Sequence, residues 1–112
     1  MANRFAQFDH VFQALADPTR RTVIERLGRG SAPVGELAEP FDMALPSFLQ
    51  HLSVLEDCGL VRSRKVGRVR TFQVEPQSLK KVDDWMSRQR KIWETRLDQF
   101  DDYVKKLKEK KA

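Results

Sequence analysis

From Gln77 to Lys110 the chain contains neither proline nor glycine, and no other feature limits its possible folds so strongly. Those two residues are the usual terminators of helices, so the segment reads as one long helix. Its apolar residues Leu79, Val82, Met86, Trp93, Leu97, Phe100, Val104 and Leu107 recur at spacings of three, four or seven, which lines them along one side. Trp85 and Ile92 lie just off that line, seven apart. A chain of 112 residues fits one domain, 1–112, and a domain this small cannot bury so long a seam by itself. Packing against a second copy of the same chain is the economical way to cover it. The expected homodimer interface is Leu79, Val82, Met86, Trp93, Leu97, Phe100 and Val104, with Phe8 and Phe12 from the start of the chain. Lys105 to Lys111 reads as a frayed, solvated end.

Ahead of this helix the punctuation is dense. Phe8, Val11, Phe12 and Leu15 recur at helical spacing and predict a helix over 4–16. Asp17-Pro18 pairs a good N-cap with a favoured first helical residue, so a second helix starts there. It carries Val23, Ile24 and Leu27 inward and stops at Gly28 and Gly30. Ser31-Ala32-Pro33 opens a short third helix, Val34 to Glu39, with Leu37 and Ala38 as its core contacts, and Pro40 breaks it. After the turn Phe41-Asp42-Met43 a fourth helix runs from about Ala44 to Asp57. Its expected apolar stripe is Leu45, Leu49, Leu52 and Leu55, with Phe48 beside them, and Gly59 supplies the stop. Residues 60–66 and 69–74 are rich in β-formers and flank Gly67-Arg68, which predicts a hairpin. Pro76 ends it. The fold class is mainly α with a small β-hairpin.

Charge is unevenly spread along the chain. The net charge is +5, yet residues 1–58 hold five Lys/Arg against eight Asp/Glu. Residues 59–74 hold five basic residues (Arg62, Arg64, Lys65, Arg68, Arg70) and no acid. A basic segment of this kind suits a polyanion, although a solvated loop has the same composition.

Two short helices joined by a tight break and followed by a basic hairpin is the order of a winged helix-turn-helix. The helix-turn-helix spans about 34–58, the wing 60–74 and the C-terminal dimerisation helix about 77–110. Opposite its leucines the fourth helix carries Ser47, Gln50, Ser53 and Val54, with His51 at the flank. Ser, Gln and His side chains hydrogen-bond base edges in the major groove. The hairpin brings Lys65, Arg68 and Arg70 to the phosphate backbone or minor groove, where neutralising charge supplies affinity. The expected partner is double-stranded DNA. His51 equally serves as a brace for the helix, and Arg20 and Arg21 either reach phosphate or pair with acids such as Asp17 or Glu25.

Other classes fit less well. No apolar run approaches the roughly 20 residues that cross a bilayer, and Met1-Ala2-Asn3-Arg4-Phe5 lacks the apolar stretch of a signal peptide. The single cysteine excludes an intrachain disulfide, so a reducing cytoplasm is expected. Cys58, beside Gly59, reads as a buried inert thiol, and His10 has no partner at ligand spacing. There is no phosphate-cradling glycine loop, nucleophile–base pair or HExxH-like spacing. No enzyme, cofactor or metal site is expected.

Ala14-Leu15-Ala16-Asp17-Pro18-Thr19-Arg20-Arg21 resembles the helix-boundary signature of the arsenic-repressor (ArsR) family. Leu49-Gln50-His51-Leu52-Ser53-Val54-Leu55-Glu56-Asp57-Cys58-Gly59-Leu60-Val61 resembles its recognition-helix signature running into the first wing strand. The likeness extends from about residue 8 to 74. It implies a homodimeric, usually repressive DNA binder reading a palindromic operator, and many members of the family are released by metal ions. Metal-sensing members carry a Cys-x-Cys pair in or beside the third helix, where Glu36-Leu37-Ala38-Glu39-Pro40-Phe41 has none. Others use Asp and His pairs on the terminal helix, and residues 77–112 contain no histidine. A dithiol switch needs a second cysteine. The chain is therefore similar to the metal-independent subgroup. Two rival readings stand beside it. One is a repressor gated by a small organic effector, bound between terminal helices by Trp85, Met86, Ile92 and Trp93. The other is a winged helix used only for protein–protein contact.

Overall fold

The computed structural model describes residues 4–110, with side chains from Phe8 onward. Its elements run α1 (Arg4–Leu15), α2 (Pro18–Leu27), β1 (Ala32–Pro33), α3 (Val34–Ala38), α4 (Leu45–Asp57), β2 (Val61–Val66), β3 (Val69–Val74) and α5 (Pro76–Lys110). The chain divides into one unit ending at Leu79 and a second beginning at Lys80.

In the first unit, local chemistry sets the helix ends. Asp17 caps α2: its backbone is extended (φ −100°, ψ 130°), and Oδ2 accepts from the Arg20 N–H at 3.1 Å. Pro18 follows in the first turn, where its missing N–H costs no hydrogen bond. Cys58 caps the end of α4, and Gly59 turns the chain with φ +82°, a conformation that a Cβ would strain. The Ser78 hydroxyl donates to the Gly59 carbonyl at 2.7 Å and fixes that turn. Pro76 does two jobs, closing the wing and opening α5.

The core gathers Val11 and Ala14 of α1, Val23 and Leu27 of α2, Leu37 of α3, and Phe48, Leu52 and Leu55 of α4, with Leu60, Val61 and Phe72 at the base of the wing. On α1, Val11 and Ala14 are buried, while Phe12 is exposed and Phe8 half-buried. One expectation is corrected here: on α4 the buried stripe is Phe48-Leu52-Leu55, while Leu45 is 53% and Leu49 40% exposed. Leu45-Leu49-Leu52 and Phe48-Leu52-Leu55 share the same i, i+4, i+7 spacing, so periodicity alone leaves the choice open. Phe48 wins because the aromatic ring buries the larger area, against Phe41 at 5.4 Å between ring centroids.

The sheet has three strands in the order β1-β3-β2, both pairings antiparallel. Strand β1 is the element that periodicity missed, since two residues carry no period. Ala32 pairs with Phe72 and Pro33 with Thr71, so the segment expected only to open α3 also docks it on the wing. In the hairpin Val66 faces Val69 across Gly67-Arg68. Gly67 has φ +64° and no non-glycine residue has positive φ among the described residues, the pattern of a type II′ turn.

The second unit consists of the remainder of α5, a helix of 35 residues in all and so roughly 50 Å long. Leu79, Met86, Trp93, Phe100 and Leu107 fall every seventh residue along it. Trp93 is 63% and Phe100 62% exposed; Met86, Leu97 and Leu107 are exposed too. Leu79 and Val104 are half-buried, and Val82 is buried. Among the described residues no helix is long and apolar enough to cross a membrane.

Candidate nucleic-acid interface

With Phe48, Leu52 and Leu55 turned inward, the 100° step of a helix places Gln50 and Ser53 on the opposite side of α4, with Ser47 and Val54 on one shoulder. All four are exposed. No side chain caps the start of α4 and no acid lies in its first turn, which leaves the positive end of the helix dipole clear for an anion.

Each flank of α4 is held by a polar tie. His51 occupies one flank and is half-buried. Its Nδ1 lies 3.0 Å from Arg20 Nη1 and 3.7 Å from Asp17 Oδ2. Arg20 also donates from Nε to the Ala14 carbonyl at 2.7 Å and from Nη2 to the Gln13 carbonyl at 3.1 Å. One guanidinium thus ties two carbonyls near the end of α1 to α4. Arg21 donates to the Leu15 carbonyl at 2.8 Å. For Asp17, burial pushes the carboxyl up, but the Arg20 N–H, the charge on His51 in acid and the Arg20 charge together outweigh it and hold the group below the usual aspartate value.

On the other flank, Glu56 accepts from the Ser63 hydroxyl of β2, and Ser63 accepts from Arg70 Nη1 of β3 at 2.8 Å. The register puts Val61, Ser63 and Lys65 on the same sheet face as their partners Val74, Phe72 and Arg70. That face is buried at its base, where Val61 and Phe72 lie, and basic towards the tip. The other face carries Arg62 and Arg64, opposite Gln73 and Thr71. Arg62 pairs with Glu75 at 3.3 Å, and the Gln73 amide, turned so that its oxygen accepts, also holds it. Arg64, Lys65 and Arg68 make no hydrogen bond or ion pair with any described residue.

These positions bear on each expected contact. Ser47, Gln50 and Ser53 are exposed together on α4, and Lys65, Arg68 and Arg70 are exposed on the wing. Arg70 nevertheless has a partner: no acid lies within the hairpin, but Glu56 reaches in from α4 through Ser63. Of the two roles open to Arg20, phosphate contact or pairing with an acid, the structure shows neither alone: its guanidinium ties to His51, and Glu56 to Ser63, pairings across 31 and 7 residues that leave no periodic trace. Cys58 is buried, its Sγ 3.3 Å from the Leu55 carbonyl, and burial pushes its thiol up, away from the reactive thiolate.

A family described as a helix-turn-helix domain matches residues 15–64. The HTH-type transcriptional regulator Rv2034 of Mycobacterium tuberculosis is 45% identical over 71 residues, which is 63% of this chain and 66% of that protein. The transcriptional repressor SdpR of Bacillus subtilis is 30% identical over 78 residues, 70% of this chain and 87% of that one. The crystal structure of the ArsR family transcriptional regulator RHA00566 superposes with a TM-score of 0.77 at 53% identity, covering 84% of this chain and 97% of its own. The chain belongs to the ArsR family. It is an ArsR-family winged helix-turn-helix regulator, and its relatives are named regulators and repressors rather than enzymes. Among the described residues of this ArsR-family chain, no three His, Cys, Asp or Glu side chains gather as a metal-ligand group.

Proposed function

We propose that the chain is a homodimeric, metal-independent transcriptional repressor that acts in the cytoplasm and reads a palindromic operator. The observation that carries this reading is the exposed polar face of α4, with Gln50 at its centre, beside a wing in which Arg64, Lys65 and Arg68 make no hydrogen bond or ion pair with any described residue. Gln50 is suited to read a base edge, with Ser47 and Ser53 beside it; the wing cations supply phosphate neutralisation. The exposed heptad of α5 supports the dimer, since Met86, Trp93, Phe100 and Leu107 form an apolar stripe with hydrophobic residues on both shoulders. Two copies of α4 related by a dyad then enter successive major grooves about 34 Å apart, which is why a palindrome is expected. Metal independence rests on the donor set: the single cysteine is buried and the long helix has no histidine.

The deciding experiment is binding of the purified protein to the promoter of its own gene against scrambled DNA, with zinc added and then chelated. Preference for the promoter that is indifferent to zinc is the expected result. Loss of binding on adding zinc overturns metal independence, and no preference overturns the repressor reading.

A further inference from the structure

We propose that Arg20 is a positioning residue for DNA recognition: it fixes the orientation and tautomer of His51, so that His51 presents a single neutral N–H donor to DNA from the flank of α4. The proposal rests on the DNA-reading function above and adds to it a residue that lies on another helix.

An arginine guanidinium has five donors and no acceptor. Nη1 of Arg20 lies 3.0 Å from His51 Nδ1, so Nδ1 must accept and the ring hydrogen must reside on Nε2. The alternative, an Nδ1–H donating to Asp17, requires a contact of 3.7 Å, beyond hydrogen-bond range, and would aim that hydrogen past a donor. The guanidinium has little freedom to move away, because Nε and Nη2 are engaged by the Ala14 and Gln13 carbonyls and the Arg20 backbone N–H by Asp17. It is a fixed post.

The other nitrogen of His51 is left for a partner. Among the described residues His51 makes no hydrogen bond or ion pair beyond those to Arg20 and Asp17, and no side-chain nitrogen or oxygen is both buried and without a partner. Nε2 is therefore open to solvent. It sits on the shoulder that also carries Ser47 and Val54, one residue from Gln50. In this tautomer Nε2–H seeks an acceptor, which the N7 of a purine edge supplies; the Nδ1–H tautomer would offer a lone pair and meet that group unfavourably.

The test reads the tautomer and the binding separately. Long-range proton–nitrogen spectra of the nitrogen-15-labelled protein at about pH 8.5 report which imidazole nitrogen carries hydrogen. His10→Asn leaves His51 as the only histidine, since the chain has two. The expected wild-type signature is hydrogen on Nε2, shifting towards a mixture in Arg20→Ala. Operator affinity of Arg20→Ala falls about tenfold more than random-DNA affinity, with an unchanged salt slope. Arg20→Lys, one mobile point donor in place of a fork, does not restore it. In a His51→Ala background the further loss on adding Arg20→Ala shrinks to about twofold or less, which subtracts the damage to α1 that both backgrounds share. A wild-type Nδ1–H signature overturns the proposal even if Arg20→Ala fails to fold. Equal losses in the two backgrounds, or a salt slope lowered by about one on both DNAs, overturn it as well, the latter making Arg20 a phosphate contact. If the wild type shows no preference for its promoter, the DNA-reading function itself has failed, and the tautomer signature stands apart from that result.

Discussion

Arg70 donates to the Ser63 hydroxyl across the two strands of the wing at 2.8 Å, and because Ser63 in turn donates to Glu56, the wing cation is bonded through one hydroxyl to an acid at the end of α4. Arg70 is therefore not equivalent to Arg68. Its charge already lies one hydroxyl away from a carboxylate, so DNA gains less from it. Arg70→Ala is expected to lower the salt slope of DNA binding by clearly less than the roughly one unit lost in Arg68→Ala. Titrations at several salt concentrations with both variants measure this directly, and equal slopes would show that the tie to Glu56 releases on DNA.

Base reading and backbone anchoring separate in the same assay. Gln50→Ala should weaken binding to the operator by roughly tenfold or more and leave random-DNA binding almost unchanged, because a bidentate base contact is worth about 1–3 kcal/mol of discrimination. Arg68→Ala should weaken both. Losses of equal size for Gln50→Ala on the two DNAs would remove Gln50 from the reading face.

The two possible stripes of α4 make opposite predictions for stability. Phe48 is completely buried, so Phe48→Ala should cost about 3–5 kcal/mol. Leu45, more than half exposed, should cost about 0.5 kcal/mol or less. Denaturant unfolding of both variants checks the pair. The stripe predicted from leucine spacing alone would give Leu45→Ala the larger loss.

Asp17 sets part of the acid limb of stability. Its carboxyl titrates lower in the fold than in the unfolded chain, so the unfolded state takes up the proton first as pH falls. The stabilisation is complete above the ordinary aspartate value of about 3.9 and is lost as pH drops towards the lower folded value. Asp17→Ala should cost about 1 kcal/mol near neutral pH through loss of the N-cap, and its deficit against the wild type should shrink below about pH 4. Thermal melts of both proteins across that range test the sign; a deficit that widens in acid contradicts it.

What could be read from the sequence, and what could not, divides along the range of the interaction. Helix boundaries were legible because their causes are local: Asp17-Pro18 starts α2, Gly59 stops α4, and the absence of any breaker lets α5 run to Lys110. The exposed set Ser47, Gln50 and Ser53 was legible too, since it lies opposite either candidate stripe. The choice between Leu45-Leu49 and Phe48-Leu55 was not, because it depends on Phe41 arriving from outside the helix. Strand β1 exists only because β3 lies alongside it. The ties from Arg20 to His51 and from Glu56 to Ser63 depend on how helices and sheet approach one another, which neither propensity nor spacing encodes.

The two-residue strand β1 has one more effect, on the company the wing keeps. A bare hairpin of valines and a phenylalanine offers a free backbone ladder on each side, and exposed ladders invite strands from other molecules. Here β1 lies along β3 and ends in Pro33, a residue with no N–H to extend a ladder. The far margin, β2, carries Arg62, Arg64 and Lys65, whose like charges resist a second copy. One margin of the sheet is thus closed by a proline and the other is charged, so two copies of the chain brought close together have no free ladder on which to zip into an aggregate.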